Sequence, residues 1–145
     1  MLFTDIIGQE TAKKQLIKGV ENNRIPHAQL LVSPKGSGAL PLAIAYAQYI
    51  LCQNTDGENI TGDQSCNLKF DKLAHPDMHF VFPVAVNANV KKHPVSDLFL
   101  NEWRDFVKIN PYGDLFDWYK KIGIEKKQGQ IGVDEAENIV RKLLL

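Results

Sequence analysis

The stretch from His27 to Gln53, HAQLLVSPKGSGALPLAIAYAQYILCQ, constrains the fold more than any other. A short apolar run, HAQLLVS at 27–33, ends in a proline and glycines, and a segment that is apolar on nearly every side follows. The run has the length and bounds of a buried strand. The segment after the glycines reads as a helix buried all round, which must be covered on both flanks and so belongs inside a layered α/β domain.

The flanking sequence supplies the other pieces of such a domain. Ala12, Leu16 and Val20 lie four residues apart, which predicts an amphipathic helix from Gln9 to Glu21 with Asn22 and Asn23 as its stop. Residues 54–64 are polar and read as a surface loop. Phe80, Val81 and Phe82 predict a second strand that Pro83 keeps short. Beyond Asn87 the pattern turns helical. Ser96 or Asp97 caps a helix carrying Leu98, Phe99, Trp103, Phe106 and Val107, and Pro111 stops it. DLFDWYKKIG is a second short helix, and GVDEAENIVRKLLL is a third, with acids at its start and Arg141 and Lys142 near its end. Strand, buried helix, strand is the βαβ pattern of a parallel sheet, so the expected fold is three-layer α/β with a helical insertion at 84–130. Two strands are too few to complete such a sheet, and the last helix has no stop signal. The chain reads as the N-terminal part of a larger domain.

Composition narrows the possible functions. Of the 145 residues, 17 are Lys or Arg and 17 are Asp or Glu, so no net positive field exists to hold nucleic acid by phosphate neutralisation alone. The apolar runs fall short of the roughly 20 residues that a membrane span needs, and no signal peptide opens the chain. A cytoplasmic location without membrane contact is expected. Two cysteines give no disulfide framework, and in a reducing compartment they would be free thiols.

The glycine stretch has the outline of a phosphate-binding loop, G-x-x-x-x-G-K-[ST]. In a working loop, backbone N–H groups wrap the phosphates, the lysine reaches the terminal ones and the hydroxyl holds Mg²⁺. With Gly36 and Gly38 aligned, Ser33 replaces the first glycine, Ala39 the lysine and Leu40 the hydroxyl. Pro34 and Ser37 complete the loop, and Pro41 has no N–H to give. Charge-assisted bonds contribute roughly 1.5–3 kcal/mol each, so losing two or three weakens binding by about two to six orders of magnitude. Three readings stay open: a strand-to-helix turn with Pro41 in the first helical turn, a former nucleotide site, and residual binding without hydrolysis.

FTDIIGQE, PHAQLLVSPKGSG, YAQYILC, HPDMHFVFP and IGVDEAENIVRKL, in that order, resemble the start of bacterial clamp-loader subunits, the gamma/tau and delta-prime subunits of DNA polymerase III, which are AAA+ proteins. The resemblance implies a P-loop NTPase-like fold. It also implies other clamp-loader subunits as partners and, through the complex, a sliding clamp and primed DNA. It places Phe3, Ile6, Ile7 and Gly8 at the wall of an adenine pocket, where ordinary packing of a helix entry is the competing reading. The lost lysine and hydroxyl resemble the delta-prime type, which does not hydrolyse ATP, rather than the gamma type. Neither ATP nor zinc is expected as a cofactor, and no catalytic residue is assigned.

The same family carries a four-cysteine zinc module between the loop helix and the H-P-D segment. Cys52 and Cys66 match that region as a remnant, but Asn67, Leu68, Lys69 and Lys72 stand where further cysteines belong. Two thiolates do not close a tetrahedral site. On an extended segment His75 and His79 would lie roughly 13 Å apart, too far to share one ion. In the insertion, Trp103, Phe106, Phe116, Trp118 and Tyr119 lie close to basic residues and could stack on single-stranded bases, or pack as a core.

Overall fold

A computed structural model describes residues 1–54 and 62–144. The chain divides into two compact units, Met1–Met78 and His79–Leu145.

The first unit begins with a 3-10 turn at Phe3–Asp5. Helix α1, Glu10–Glu21, follows two residues with positive φ, Gly8 at +68° and Gln9 at +60°. Its predicted stop is a Schellman motif. Asn23 takes the left-handed conformation (φ +56°), its N–H donates to Val20 O, and the Arg24 N–H donates to Gly19 O at 2.8 Å. Helix α2, Ala39–Leu51, buries Leu42, Ile44, Ala45, Tyr46 and Tyr49. Phe3, Ile6, Leu42, Ala45, Tyr46 and Tyr49 form the core, and Ala12, Leu16, Ile17 and Val20 of α1 close over it. Full burial of each large side chain contributes about 1.5–3 kcal/mol. Lys13, only 7% exposed, donates from Nζ to Ile6 O at 2.6 Å and to Glu10 Oε1 at 2.9 Å, which fastens the opening segment to α1.

Helix α3, Gln64–Asp71, starts where Asp63 accepts the N–H groups of Ser65 and Cys66. Between α2 and α3 lies a buried run of amides. Gln48 Nε2 donates to Asn67 Oδ1 at 2.7 Å, Asn54 Nδ2 donates to the same oxygen at 3.1 Å, and Asn67 Nδ2 donates to Asp63 O at 2.8 Å. Burying amides is costly unless their donors and acceptors find partners, as these do.

In the second unit a 3-10 turn at Ser96–Phe99 leads into α4, Leu100–Ile109, followed by α5, Leu115–Lys121, and α6, Val133–Leu143. Asp114 caps α5, and Asp117 bonds back to the Asp114 N–H. The core is aromatic. Phe82 stacks on Trp103 at 4.3 Å, and Trp118 stands edge-on to Trp103 at 5.0 Å and donates from Nε1 to Pro83 O. Helix α6 is held by polar contacts, with Glu135 accepting the Ser96 N–H, and Asn138 and Lys142 donating to the Asp97 carboxylate. Partial burial pushes the Asp97 carboxyl up, but the bonds from Asn138 and Lys142 and the charges of Lys142 and His79 outweigh it, so it titrates below the ordinary aspartate value.

The described residues form six α-helices and no strand, which overturns the expected α/β fold with its parallel sheet. At 27–33 the chain carries no ladder, and Leu30 and Val32 stand 86% and 83% exposed, so the apolar cover that a buried strand needs is missing. At 80–82 the backbone finds another partner. The Phe82 N–H donates to Ser96 Oγ at 3.0 Å, and the same hydroxyl donates to Phe82 O, so one side chain fills both positions that a neighbouring strand would take. The one paired site among the described residues is an isolated antiparallel bridge between Val84 and Gln130. Most of the polar loop predicted at 54–64, residues 55–61, lies outside the described residues.

Candidate functional site

The glycine loop runs from Ser33 to the start of α2. Pro34 O accepts the Ser37 N–H at 3.3 Å and the Ser37 Oγ–H at 2.7 Å, while Ser33 Oγ donates to the same carbonyl at 3.2 Å. This closes a four-residue turn, Pro34 to Ser37. Gly36 occupies its third position with φ +73°, which a type II turn requires and glycine supplies without strain. Gly38, at φ +93°, hands the chain into α2, and the Leu42 N–H donates to Gly38 O as the first helical bond. Pro41 sits in that first turn, where a missing N–H leaves no helical bond unmade. The helix start therefore presents Ala39 and Leu40, both half-buried, and neither can supply a charge or a metal ligand.

The residues predicted for an adenine wall separate into two pairs. Phe3 and Ile6 are 3% exposed within the core, whereas Ile7 is 80% exposed beside Gly8. The opening segment meets the loop through a residue that sequence reading passed over. Gln9 Nε2 donates to Ser37 O at 3.0 Å. The signal available for it was its place directly after Gly8, where a left-handed turn swings the side chain off the start of α1.

Cys52 and Cys66 form a disulfide, with Cα atoms 5.4 Å apart, so the expectation of free thiols is corrected. The C-terminal end of α2 and the first turn of α3 face each other closely enough for the sulfurs to bond, a proximity that their separation in sequence did not announce. Among the described residues no group of three or more His, Cys, Asp or Glu is placed to hold a metal ion. Trp103, Phe106 and Trp118 are enclosed by one another, while Phe116 is 53% exposed and the Tyr119 hydroxyl donates to Gly129 O. No helix among the described residues is long and apolar enough to cross a membrane.

A family profile described as DNA polymerase III, delta subunit, matches residues 8–143. The chain belongs to this family. Within the DNA polymerase III delta subunit family, subunit delta' of Bacillus subtilis (strain 168) is 29% identical over 135 residues, covering 93% of this chain and 37% of the relative. Subunit gamma/tau of Mycoplasma pneumoniae (strain ATCC 29342 / M129 / Subtype 1) is 25% identical over 64 residues, covering 44% of this chain and 9% of the relative. The chain thus spans little more than a third of the delta' relative's length. No solved structure matches it.

Proposed function

We propose that this member of the DNA polymerase III delta subunit family acts as a non-hydrolysing, delta-prime-type subunit of a clamp loader in the cytoplasm. Its role is architectural. It helps to hold related subunits in an assembly that places a sliding clamp on primed DNA during replication, while ATP is hydrolysed by neighbours. Residues 84–130 are read as an insertion in the clamp-loader domain.

The observation that carries this reading is the start of α2. Gly36 and Gly38 retain the positive φ values of a loop that could approach phosphates, yet Ala39 and Leu40 stand where a cation and a metal-holding hydroxyl would be needed. A triphosphate there would meet backbone donors without the cation that a lysine at position 39 would place at the helix start. The test is calorimetric titration of ATP with Mg²⁺ into the full-length protein, alone and with its partner subunits. No micromolar binding to this subunit is expected, and clamp loading by the reconstituted complex should proceed with it. Mg²⁺-dependent micromolar binding that is abolished by Gly38→Val would overturn the reading.

The similarity of a shorter stretch to a gamma/tau subunit favours one alternative, an ATP-binding motor subunit. The same titration decides between them, because that alternative requires the binding which the first reading excludes.

A further inference from the structure

We propose that the open groove between α4 and α5 receives an acidic, apolar peptide segment of a protein partner. The groove encloses about 360 Å³ and is lined by Phe106, Ile109 and Asn110 on one side and by Asp117, Lys120 and Lys121 on the other. All of these belong to the second unit, so the inference does not depend on how the glycine loop is read.

The floor and the rim call for different chemistry. The apolar part of the lining is Ile109, 79% exposed at the end of α4, with the buried Phe106 beside it. Lys120 and Lys121 stand on the rim, and neither takes part in an ion pair among the described residues. Asp117 Oδ2 accepts the Asp114 N–H and keeps its negative charge, so the two lysines outnumber one carboxylate in the lining. The charge left to an incoming chain is positive and the floor beneath it is apolar. A segment that sets a leucine or phenylalanine against Ile109 and carboxylates beside the lysines is complementary on both counts.

The turn between the two helices packs closely against the groove lining. A Cβ on Gly113 would come within 2.7 Å of Asn110 Nδ2 and of Phe106 Cζ, and the Gly113 N–H donates to Asn110 O at 3.0 Å. A side chain at 113 would therefore displace Asn110 and Phe106, two of the groups that line the groove. Single-stranded nucleic acid suits the site less well. Sequence-tolerant binding of that kind needs several ring faces open for stacking, and although Phe116 is exposed, Trp103, Phe106 and Trp118 turn theirs onto one another.

The probe is an acetylated, amidated pentapeptide of two aspartates, leucine, phenylalanine and glutamate, titrated into the ¹⁵N-labelled chain. Saturable amide shifts are expected at Ile109, Asn110, Lys120 and Lys121, and they should vanish for the analogue carrying asparagine and glutamine in place of the acids. The double variant K120E/K121E, changed at two exposed positions, should keep the spectrum of the rest of the chain and bind roughly tenfold or more weakly. The proposal is overturned if shifts fail to saturate at millimolar peptide, if they map elsewhere, or if the neutral analogue or the double variant binds equally well. It is also overturned if an oligothymidylate moves these amides and the peptide does not.

Discussion

Breaking the Cys52–Cys66 bond should cost the first unit about 3 kcal/mol. The bond joins residues 14 apart in sequence, and a cross-link closing a loop of about 15 residues removes chain entropy from the unfolded state worth roughly 3 kcal/mol at 25 °C. That is a large fraction of the roughly 5–15 kcal/mol that holds a typical domain together. The native side adds to it. Cys52 O accepts the Asp63 N–H, and Gln48, Asn54 and Asn67 bond to one another beside the link, so freeing the loop loosens a buried amide cluster as well. The perturbation is C52A/C66A, alongside wild type treated with a phosphine reductant. Urea unfolding followed by far-UV circular dichroism should show a midpoint lower by roughly 1–3 M, for a slope of about 1–3 kcal/mol/M. Native-state hydrogen exchange should speed up first at the backbone amides of Cys52, Asp63 and Asn67. Oxidised and reduced protein unfolding within about 0.5 kcal/mol of each other, well inside the loop-closure figure, would refute the reasoning. So would quantitative alkylation of both cysteines in the folded, unreduced chain.

Gly38→Ala places a Cβ on a residue with φ +93° and should destabilise the chain by roughly 1–2 kcal/mol, read as a lowered thermal midpoint. Trp118→Ala empties the centre of the aromatic cluster and leaves Pro83 O without its donor, so a loss of about 3–5 kcal/mol is expected in chemical denaturation. Because the folded-state pKa of Asp97 lies below its ordinary value of 3.8, its contribution is fully present above that value and is lost as pH falls through the lower folded one. The Asn138 side-chain amide resonance should move over that acid range in wild type and stay fixed in Asp97→Asn.

The helices were legible in the sequence because their signals are local. The spacing of Ala12, Leu16 and Val20 and the Asn22–Asn23 stop each specify a turn of chain without help from elsewhere, whereas Ser96 and Asp97, expected as a cap, bond to Phe82 and to Asn138 and Lys142 instead. The sheet was misread because a strand is defined by its partner. Leu30–Val32 and Phe80–Phe82 have strand composition, but the first has no cover and the second gives its backbone to Ser96. Helix α3 went unnoticed since it is short and mostly polar. Its clue was Asp63, followed by Cys66, Phe70 and Leu73 at helical spacing, all three of them buried. At the candidate site the missing lysine and hydroxyl could be read directly. The Gln9–Ser37 contact and the disulfide could not, because each joins residues whose proximity only the folded chain creates.

Both tryptophans of the chain, Trp103 and Trp118, stand in the second unit, packed ring against ring. Selective excitation of indole therefore watches one half of the molecule and is blind to the other. A ligand that settles at the glycine loop leaves that emission unchanged unless its effect passes between the units, so an unlabelled sample already carries the optical reporter needed to ask whether the two halves communicate.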